Sequence, residues 1–303
     1  MAAELLIAPE LRMLIADEVS RQIADREARR EAADCEAHRR AAEREASRGD
    51  RDFTLTAMLA GRPGADRTLN RGRYAALGRQ IRDLTGATDV RYRLAQAYLL
   101  LLDIEARGLG RIAGSTYNIL GKLVTPPLLD APPGPILEIG TLYGLFSSGL
   151  VRSFRRRGEF RSLTVIDPFA GQQIQGGQST WDDLSGAPVT EQVVQANFAE
   201  FGLGPDDARA IVGYSTDEDV RALAADREYA VVVVDGDHYE DGVQEDLWWV
   251  ETVLAPGGIA VMDDFGDDKW RGVETAVRRY LANGGRMELV GAASTTGYLR
   301  MPA

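Results

Sequence analysis

The sequence predicts an α/β fold: a doubly wound, mostly parallel sheet of seven strands, preceded by a helical N-terminal region. From Pro132 onward, five short apolar runs alternate with segments of helical periodicity, which is typical of a parallel sheet. One of these runs, YAVVVVDGD at 229–237, is strongly β-branched, as expected for a strand buried on both faces. Two further apolar runs close the chain in succession and predict an antiparallel hairpin.

Each predicted strand is a short apolar run, and most of the runs end at a glycine or an acid. The runs are PILEIG (135–140), SLTVID (162–167), ARAIVG (208–213), YAVVVVDGD (229–237), IAVMDD (259–264), RMELVGA (286–292) and TTGYLRM (295–301). The helices between them have apolar residues at three- and four-residue steps. Thr190 is a suitable N-cap for the helix before the third strand, and Ser215 or Thr216 for the helix after it. The Pro-Gly-Gly at 256–258 is expected to stop the helix that starts at 241.

The sequence pattern before residue 111 predicts mainly helix. An apolar stripe opens it, and a run of Ala, Arg and Glu continues to Gly49 with too few apolar residues to bury much surface. We interpret this run as a solvated helix or a loose coiled-coil arm, in which Cys35 and His38 are incidental. Residues 91–106 predict a packed helix. The predicted domains are therefore 1–110, an arm, lid or oligomerisation region that favours a homo-oligomer, and 111–303, the α/β domain.

Composition excludes several classes of protein. The net charge of −11 argues against nucleic acid or an anionic membrane as the main partner, because both attract positive charge. A single cysteine excludes an intrachain disulfide. The most apolar stretch, 97–102, is far too short to span a bilayer, and the N-terminus lacks the order of a signal peptide, so a cytoplasmic location is expected.

The excess acidity is local. Between Asp235 and Asp268 there are eleven acidic residues and no Lys or Arg, and the rest of the chain is balanced in charge. This window contains the ends of the fourth and fifth predicted strands.

Residues at the ends of the first two strands indicate a nucleotide-type cofactor, because ligands of such sheets bind beyond the carboxyl ends of the strands. The first strand ends with Glu138, Gly140 and Gly144, and glycine lets the backbone approach a ligand closely. The second strand ends at Asp167, an acid placed to hold a ribose diol. Leu142 breaks the GxGxxG pattern, which argues against NAD.

Three acids at the ends of strands four and five predict a metal site. Asp235, Asp263 and Asp264 would meet at one edge of the sheet and repel one another unless a cation lay between them. Oxygen ligands alone suit Mg²⁺ or Mn²⁺ better than zinc. The alternative is that these acids only cap helices and shape turns.

His238 follows Asp235 by three residues and is the candidate general base, because histidine titrates near neutrality. Asp237 is the alternative base. A purely structural histidine that hydrogen-bonds a loop is the competing interpretation.

Taken together and in order, ILEIGTLYG, VIDPF and LAPGGIAVMDD resemble the motifs of class I S-adenosylmethionine-dependent methyltransferases. The stretch from Asp235 to Gly266 is similar to a bacterial branch that includes the macrolide and aminocoumarin sugar O-methyltransferases, and to catechol O-methyltransferase in its acids. The resemblance covers roughly Gly121 to Ala303. It implies the Rossmann-like fold of that family and S-adenosylmethionine as cofactor.

The resemblance also implies a role for individual residues. Glu138, Gly140, Thr141 and Gly144 would line the methionine part of the cofactor, Asp167 would hold the ribose, Ser215 would lie near the adenine, and Asp235 would also border the cofactor. Asp235, Asp263 and Asp264 would bind the divalent metal, and His238 would be the base.

The function expected from these residues is metal-dependent O-methylation of a hydroxylated small molecule, such as a natural product that bears a sugar. A bound dication would lower the pKa of the hydroxyl, and His238 or Asp237 would remove its proton. Segments 114–124 and 170–188 are candidate lids; Tyr117 and Lys122 could touch substrate, although packing or helix-surface roles are favoured. The alternatives are a metal-independent N- or carboxyl-methyltransferase, a hydroxylase-like relative, and a non-catalytic oligomeric binding protein.

Overall fold

The structure, a computed structural model, describes residues 67–171 and 187–303. The predicted helical arm that ends near Gly49, with Cys35 and His38, lies outside these residues, as does most of the predicted lid at 170–188. All the described residues fall within one compact unit. The roles predicted for the N-terminal region, including oligomerisation, stay predictions.

Eight helices and seven strands make up the described part of the chain. The helices are α1 (Arg71–Thr85), α2 (Val90–Arg107), α3 (Thr116–Val124), α4 (Leu145–Arg155), α5 (Glu191–Glu200), α6 (Glu218–Ala224), α7 (Glu240–Val253) and α8 (Arg271–Ala282), with a 3₁₀ turn at Pro126–Leu128. The strands are β1 (Ile136–Ile139), β2 (Leu163–Asp167), β3 (Ala208–Val212), β4 (Tyr229–Val234), β5 (Leu254–Asp263), β6 (Glu288–Ala293) and β7 (Thr296–Arg300).

The strands form one sheet in the order β3-β2-β1-β4-β5-β7-β6. Strands β1 to β5 are parallel, and β7 lies antiparallel between β5 and β6. The predicted fold is confirmed, including the closing hairpin. The chain order reverses between β1 and β4, and this switch point is where ligands of doubly wound sheets bind.

The register aligns the carboxyl ends of the central strands. Ile139 of β1 pairs with Ile166 of β2 and with Val234 of β4, and Val234 pairs with Met262 of β5. The residues that follow these pairs therefore emerge side by side at one edge. Both faces of β1 and β4 are buried, which explains why their sequences are continuous apolar runs.

Helices α1, α2 and α3 pack on the same face of the sheet as α4 and α5. Their apolar residues join one core cluster with Ile136, Val165 and Val231 of the sheet. Every residue of α3 is buried. The segment 114–124, expected as a candidate lid, is therefore mostly a packed helix, whose N-cap Ser115 accepts a hydrogen bond from the amide of Asn118.

Two element boundaries differ from the sequence prediction. Helix α7 ends at Val253, and Leu254–Gly258, expected to end that helix, already belong to β5. Proline disfavours helical backbone in the residue before it, so Pro256 ends the helix earlier than the glycines would. Thr190 caps α5 as predicted, by accepting a hydrogen bond from the amide of Val193, whereas α6 begins after Asp217 rather than at Ser215 or Thr216.

Among the described helices, none is both long and apolar enough to cross a lipid bilayer.

Candidate active site

The ends of β1 and β4 meet at Gly140. Its φ of 78° lies in the left-handed region, and a Cβ there would lie 2.3 Å from the carbonyl oxygen of Asp235. Only glycine satisfies both conditions. The two strands on either side of the switch point are thus in backbone contact where the predicted cofactor residues begin.

The turn after β1 is held by Asp167. Its Oδ2 accepts hydrogen bonds from the amides of Thr141 at 2.9 Å and Leu142 at 3.0 Å, and its Oδ1 accepts one from the amide of Phe169 at 2.9 Å. Burial raises the pKa of Asp167, and these amides offset part of that rise. The predicted ribose ligand is therefore also the residue that shapes the glycine turn.

Glu138 lies below this turn and is 1% exposed. Its Oε2 accepts a hydrogen bond from the Thr141 hydroxyl. Burial raises the pKa of Glu138 to about 7, against the opposing effect of the hydroxyls of Thr141 and Ser147. Gly144 is the N-cap of α4 and has a φ of 68°, and a Cβ there would lie 2.8 Å from the Phe198 ring.

Ser215 follows β3 and is half-buried. Its carbonyl oxygen accepts a hydrogen bond from Nε of Arg221, the residue in α6 that lies over the Trp249 ring. The structure places Ser215 beyond the end of β3, at the same edge of the sheet as the other predicted cofactor residues.

On the other side of the switch point, two of the predicted metal ligands converge on an ammonium group. Nζ of Lys122 in α3 donates to Oδ2 of Asp235 at 3.0 Å and to Oδ2 of Asp263 at 2.6 Å. Nδ2 of Asn118, one turn earlier in α3, donates to the second oxygen of Asp263 at 2.7 Å. Lys122 is 1% exposed, and its Nζ lies 4.7 Å from the centre of the Phe146 ring.

These contacts change the pKa values of Lys122, Asp263 and Asp235. Burial alone would lower the pKa of Lys122, but Asp235 and Asp263 raise it above its usual range. Burial alone would raise the pKa of Asp263, but Lys122, Asp235 and Asn118 lower it. Burial and the neighbouring Asp263 charge raise the pKa of Asp235, with Lys122 opposing them. The two neighbouring carboxyl groups thus favour the charged form of Lys122.

The third predicted ligand, Asp264, points elsewhere. Its Oδ2 lies 3.3 Å from Nδ1 of His238, and its backbone has a φ of 54°. In the described part of the chain no three His, Cys, Asp or Glu side chains form a group that could hold a metal ion. The structure thus brings Asp235 and Asp263 together at Lys122 and directs Asp264 towards His238, and the metal role predicted for the three acids stays a prediction.

His238 is buried and oriented. It is 8% exposed, and its ring stacks on Trp270 with the centroids 4.6 Å apart. Burial lowers the pKa of His238, although the charges of Asp263 and Asp237 oppose this. Burial and the nearby Asp263 raise the pKa of Asp264 to about 7. A histidine paired with a carboxylate through one ring nitrogen is the arrangement that orients a general base.

Asp237, the alternative base, is exposed. Its Oδ1 accepts a hydrogen bond from the amide of Tyr239 at 2.8 Å. This geometry is that of a turn-shaping aspartate and favours His238 as the base.

The sequence did not identify Asn118 as a site residue, and it named Lys122 only as a possible substrate contact, not as the partner of Asp235 and Asp263. Packing or a helix surface was the favoured role for Lys122, and the structure corrects the surface part, since the whole of α3 is buried. One signal was present: Lys122 is one of only two lysines, and it interrupts the apolar residues of TYNILGKLV.

Residues 137–265 match a protein family described as a methyltransferase domain. This chain carries a methyltransferase domain. The resemblance drawn from the glycine turn and the strand-end acids is thereby confirmed.

Two known proteins show what the chain is similar to. The mycinamicin III 3''-O-methyltransferase of Micromonospora griseorubida is 28% identical over 161 residues, 49% of this chain and 61% of the relative, so less than two thirds of that relative's length is covered. The structure of the O-methyltransferase NovP has a TM-score of 0.50 at 18% identity, covering 76% of this chain and 100% of that one. At that identity the likeness shows the fold alone.

Proposed function

We propose that the protein is an S-adenosylmethionine-dependent O-methyltransferase that acts on a hydroxyl group of a small molecule, a natural product that bears a sugar. The observation that carries this proposal is the His238–Asp264 pair, at the same edge of the sheet as the glycine turn, within a methyltransferase domain. The relative named for O-methylation of mycinamicin III supports an oxygen acceptor on a natural product. The sugar is part of the proposal because of the sequence resemblance to sugar O-methyltransferases.

The residues at the switch point suit this cofactor in kind. Glu138, Gly140, Thr141 and Gly144 would border its methionine part, and Asp235 would close the crevice from β4. Ser215 would lie near the adenine. A carboxylate offers about four acceptor positions, and Asp167 uses three of them for backbone amides, which leaves capacity for a ribose hydroxyl. When bound, S-adenosylmethionine supplies an electrophilic methyl group on a sulfonium.

The chain's own residues would handle the proton. A hydroxyl is a poor nucleophile until it loses its proton, and the His238 imidazole would accept that proton as the oxygen–carbon bond forms and the sulfur–carbon bond breaks. The lowered pKa keeps the ring neutral and able to accept a proton near pH 7. Asp264 holds the ring in one orientation and balances the charge that appears on it.

Mg²⁺ or Mn²⁺ was expected to assist this step at Asp235, Asp263 and Asp264. The residues do not fit a divalent ion as they are arranged, because an ammonium group lies where two of the carboxylates converge and the third carboxylate faces His238. No step of the proposed mechanism therefore runs through a metal.

Calorimetry with S-adenosylmethionine and a methyl-transfer screen test the proposal. Full-length protein would be incubated with isotopically labelled S-adenosylmethionine and a panel of nucleotide sugars and glycosylated macrolides, and methylated products identified by mass spectrometry. We expect cofactor binding and transfer to at least one hydroxyl. Transfer to a nitrogen or a carboxylate would overturn the O-methyltransferase assignment, and failure to bind the cofactor would favour the non-catalytic binding protein.

Homo-oligomerisation through the N-terminal arm is a separate proposal. Light scattering of the full chain and of a truncation that starts at Arg51 tests it. We expect a smaller assembly after truncation, and an unchanged size would contradict a role for the arm.

A further inference from the structure

The position between the β4 and β5 ends is filled by a side chain of this protein. Lys122 is the only residue of α3 with a positive charge, and its Nζ lies within hydrogen-bond distance of both Asp235 and Asp263. The ammonium lies over the Phe146 ring, and Asn118 donates to the other oxygen of Asp263. Helix α3 therefore supplies a polar partner for each carboxylate oxygen of Asp263.

A divalent ion and this ammonium compete for the same place. Mg²⁺ needs oxygen ligands at about 2.0–2.1 Å in near-octahedral geometry, and two carboxylates pointing at one spot are a typical start for such a site. Here the ammonium already neutralises part of their charge and uses one oxygen of each. A dication placed beside it would meet like-charge repulsion in a buried setting where screening is weak.

We propose that Lys122 is a built-in cation that takes the place of a divalent metal ion between Asp235 and Asp263, so that this methyltransferase site works without one. The proposal rests on the proposed function for its catalytic meaning, but the claim about cation binding stands on the Lys122 contacts alone. Lys122 acts as a positioning residue: it holds the two carboxylates in place, and its charge keeps this edge of the sheet from becoming strongly negative.

Removal of the Lys122 ammonium should allow a divalent cation to bind between Asp235 and Asp263. With Lys122 present, an ammonium group lies within hydrogen-bond distance of both carboxyl groups. Replacing the ammonium with the thioether of methionine keeps most of the side-chain volume and leaves two facing carboxylates. Those two carboxylates then form the start of an oxygen site for a divalent cation.

Manganese titration followed by electron paramagnetic resonance is the test, because free Mn²⁺ gives a signal that is lost on binding. Full-length protein would first be stripped with EDTA and dialysed. We expect no stoichiometric Mn²⁺ site in the wild type, and an increase in Mn²⁺ affinity of about 100-fold or more in Lys122→Met, since a buried positive charge next to the ion is removed. Adding Asp263→Asn to Lys122→Met should abolish the new site.

The chain offers a matched control. Its other lysine, Lys269, is exposed and lies over the Trp270 ring. Lys269→Met makes the same chemical change a few residues from Asp263 and Asp264 but should create no Mn²⁺ site.

Two results would overturn the proposal. One is a wild-type protein that binds one equivalent of Mn²⁺ tightly and loses it on Asp263→Asn. The other is a folded Lys122→Met protein with no gain in affinity. If Lys122→Met does not fold, Lys122→Gln, which keeps a hydrogen-bond donor, takes its place under the same criteria. None of these titrations depends on methyl transfer, so a failure of the proposed function would be seen separately, in the cofactor and acceptor assays.

Discussion

The two halves of the sheet edge treat their carboxylates in different ways. On the β1–β2 side, Asp167 is bound by three neutral backbone amides and Glu138 by a hydroxyl. On the β4–β5 side, Asp235 and Asp263 are bound by the charged Lys122, and Asp264 by His238. The partners on the β1–β2 side are uncharged amides and a hydroxyl, whereas those on the β4–β5 side are a charged ammonium group and a titrating imidazole ring. Acids that look alike in sequence therefore have different partners in the structure.

We expect the largest loss of turnover from a substitution on the β4–β5 side. His238→Ala should lower turnover by about 100- to 10,000-fold, because general-base catalysis contributes that much, with little change in cofactor affinity. Steady-state kinetics and calorimetry with S-adenosylmethionine would measure the two quantities. Equal losses of turnover and of cofactor affinity would show that the two halves are not separate in function.

The β1–β2 side can be tested by a substitution at Gly140, where β1 approaches β4. Gly140→Ala should lower the free energy of unfolding by about 3 kcal/mol or more, because strained backbone is added to a clash with the Asp235 carbonyl. Gly158→Ala is the control, since Gly158 has a φ of 80° with no atom within 4 Å of the added Cβ, and about 1 kcal/mol is expected there. Urea unfolding would measure both, and similar losses would refute the close approach of β1 and β4.

The pairing of His238 with Asp264 can be tested by itself. Asp264→Asn keeps the shape of the side chain but removes its charge, and should lower turnover by about 10- to 100-fold, less than the loss of the ring itself. Asp268→Asn, a highly exposed acid in the same segment, is the control and should have no effect. An effect of Asp264→Asn no larger than that of the control would leave His238 without its proposed orienting partner.

Asp246 in α7 is a buried acid of another kind, since its carboxylate makes no ion pair with a Lys or Arg among the described residues. Burial raises its pKa to about 7, whereas the unfolded chain has an ordinary, lower value. The folded state therefore binds more protons, and stability falls as pH rises from about 4 to about 7. Asp246→Asn should stabilise the protein by about 2 kcal/mol more at pH 8 than at pH 5.

Urea unfolding of both proteins at the two pH values measures that difference. A gain that does not depend on pH would show that Asp246 is not a buried titrating acid. It would also weaken the contrast with Asp263, whose cationic partner lowers the pKa.

The sequence predicted the sheet well because its signals are local. Apolar runs, Thr190 as a cap and the closing hairpin each depend on neighbouring residues. It also predicted which strand ends would meet, because parallel strands share an edge. It could not predict what the acids would contact there. Lys122 and Asp263 are 141 residues apart in the chain, and only the packing of α3 against the sheet brings them together.

If this chain supplies the charges of its own methyl-transfer site, methyl transfer should not need a divalent ion. The most direct measurement is methyl transfer to the best acceptor of the screen, with EDTA-stripped protein, in excess chelator and again with added Mg²⁺. We expect equal rates under both conditions and a rate that His238→Ala nearly abolishes. Activity that disappears in chelator and returns with Mg²⁺ would contradict it.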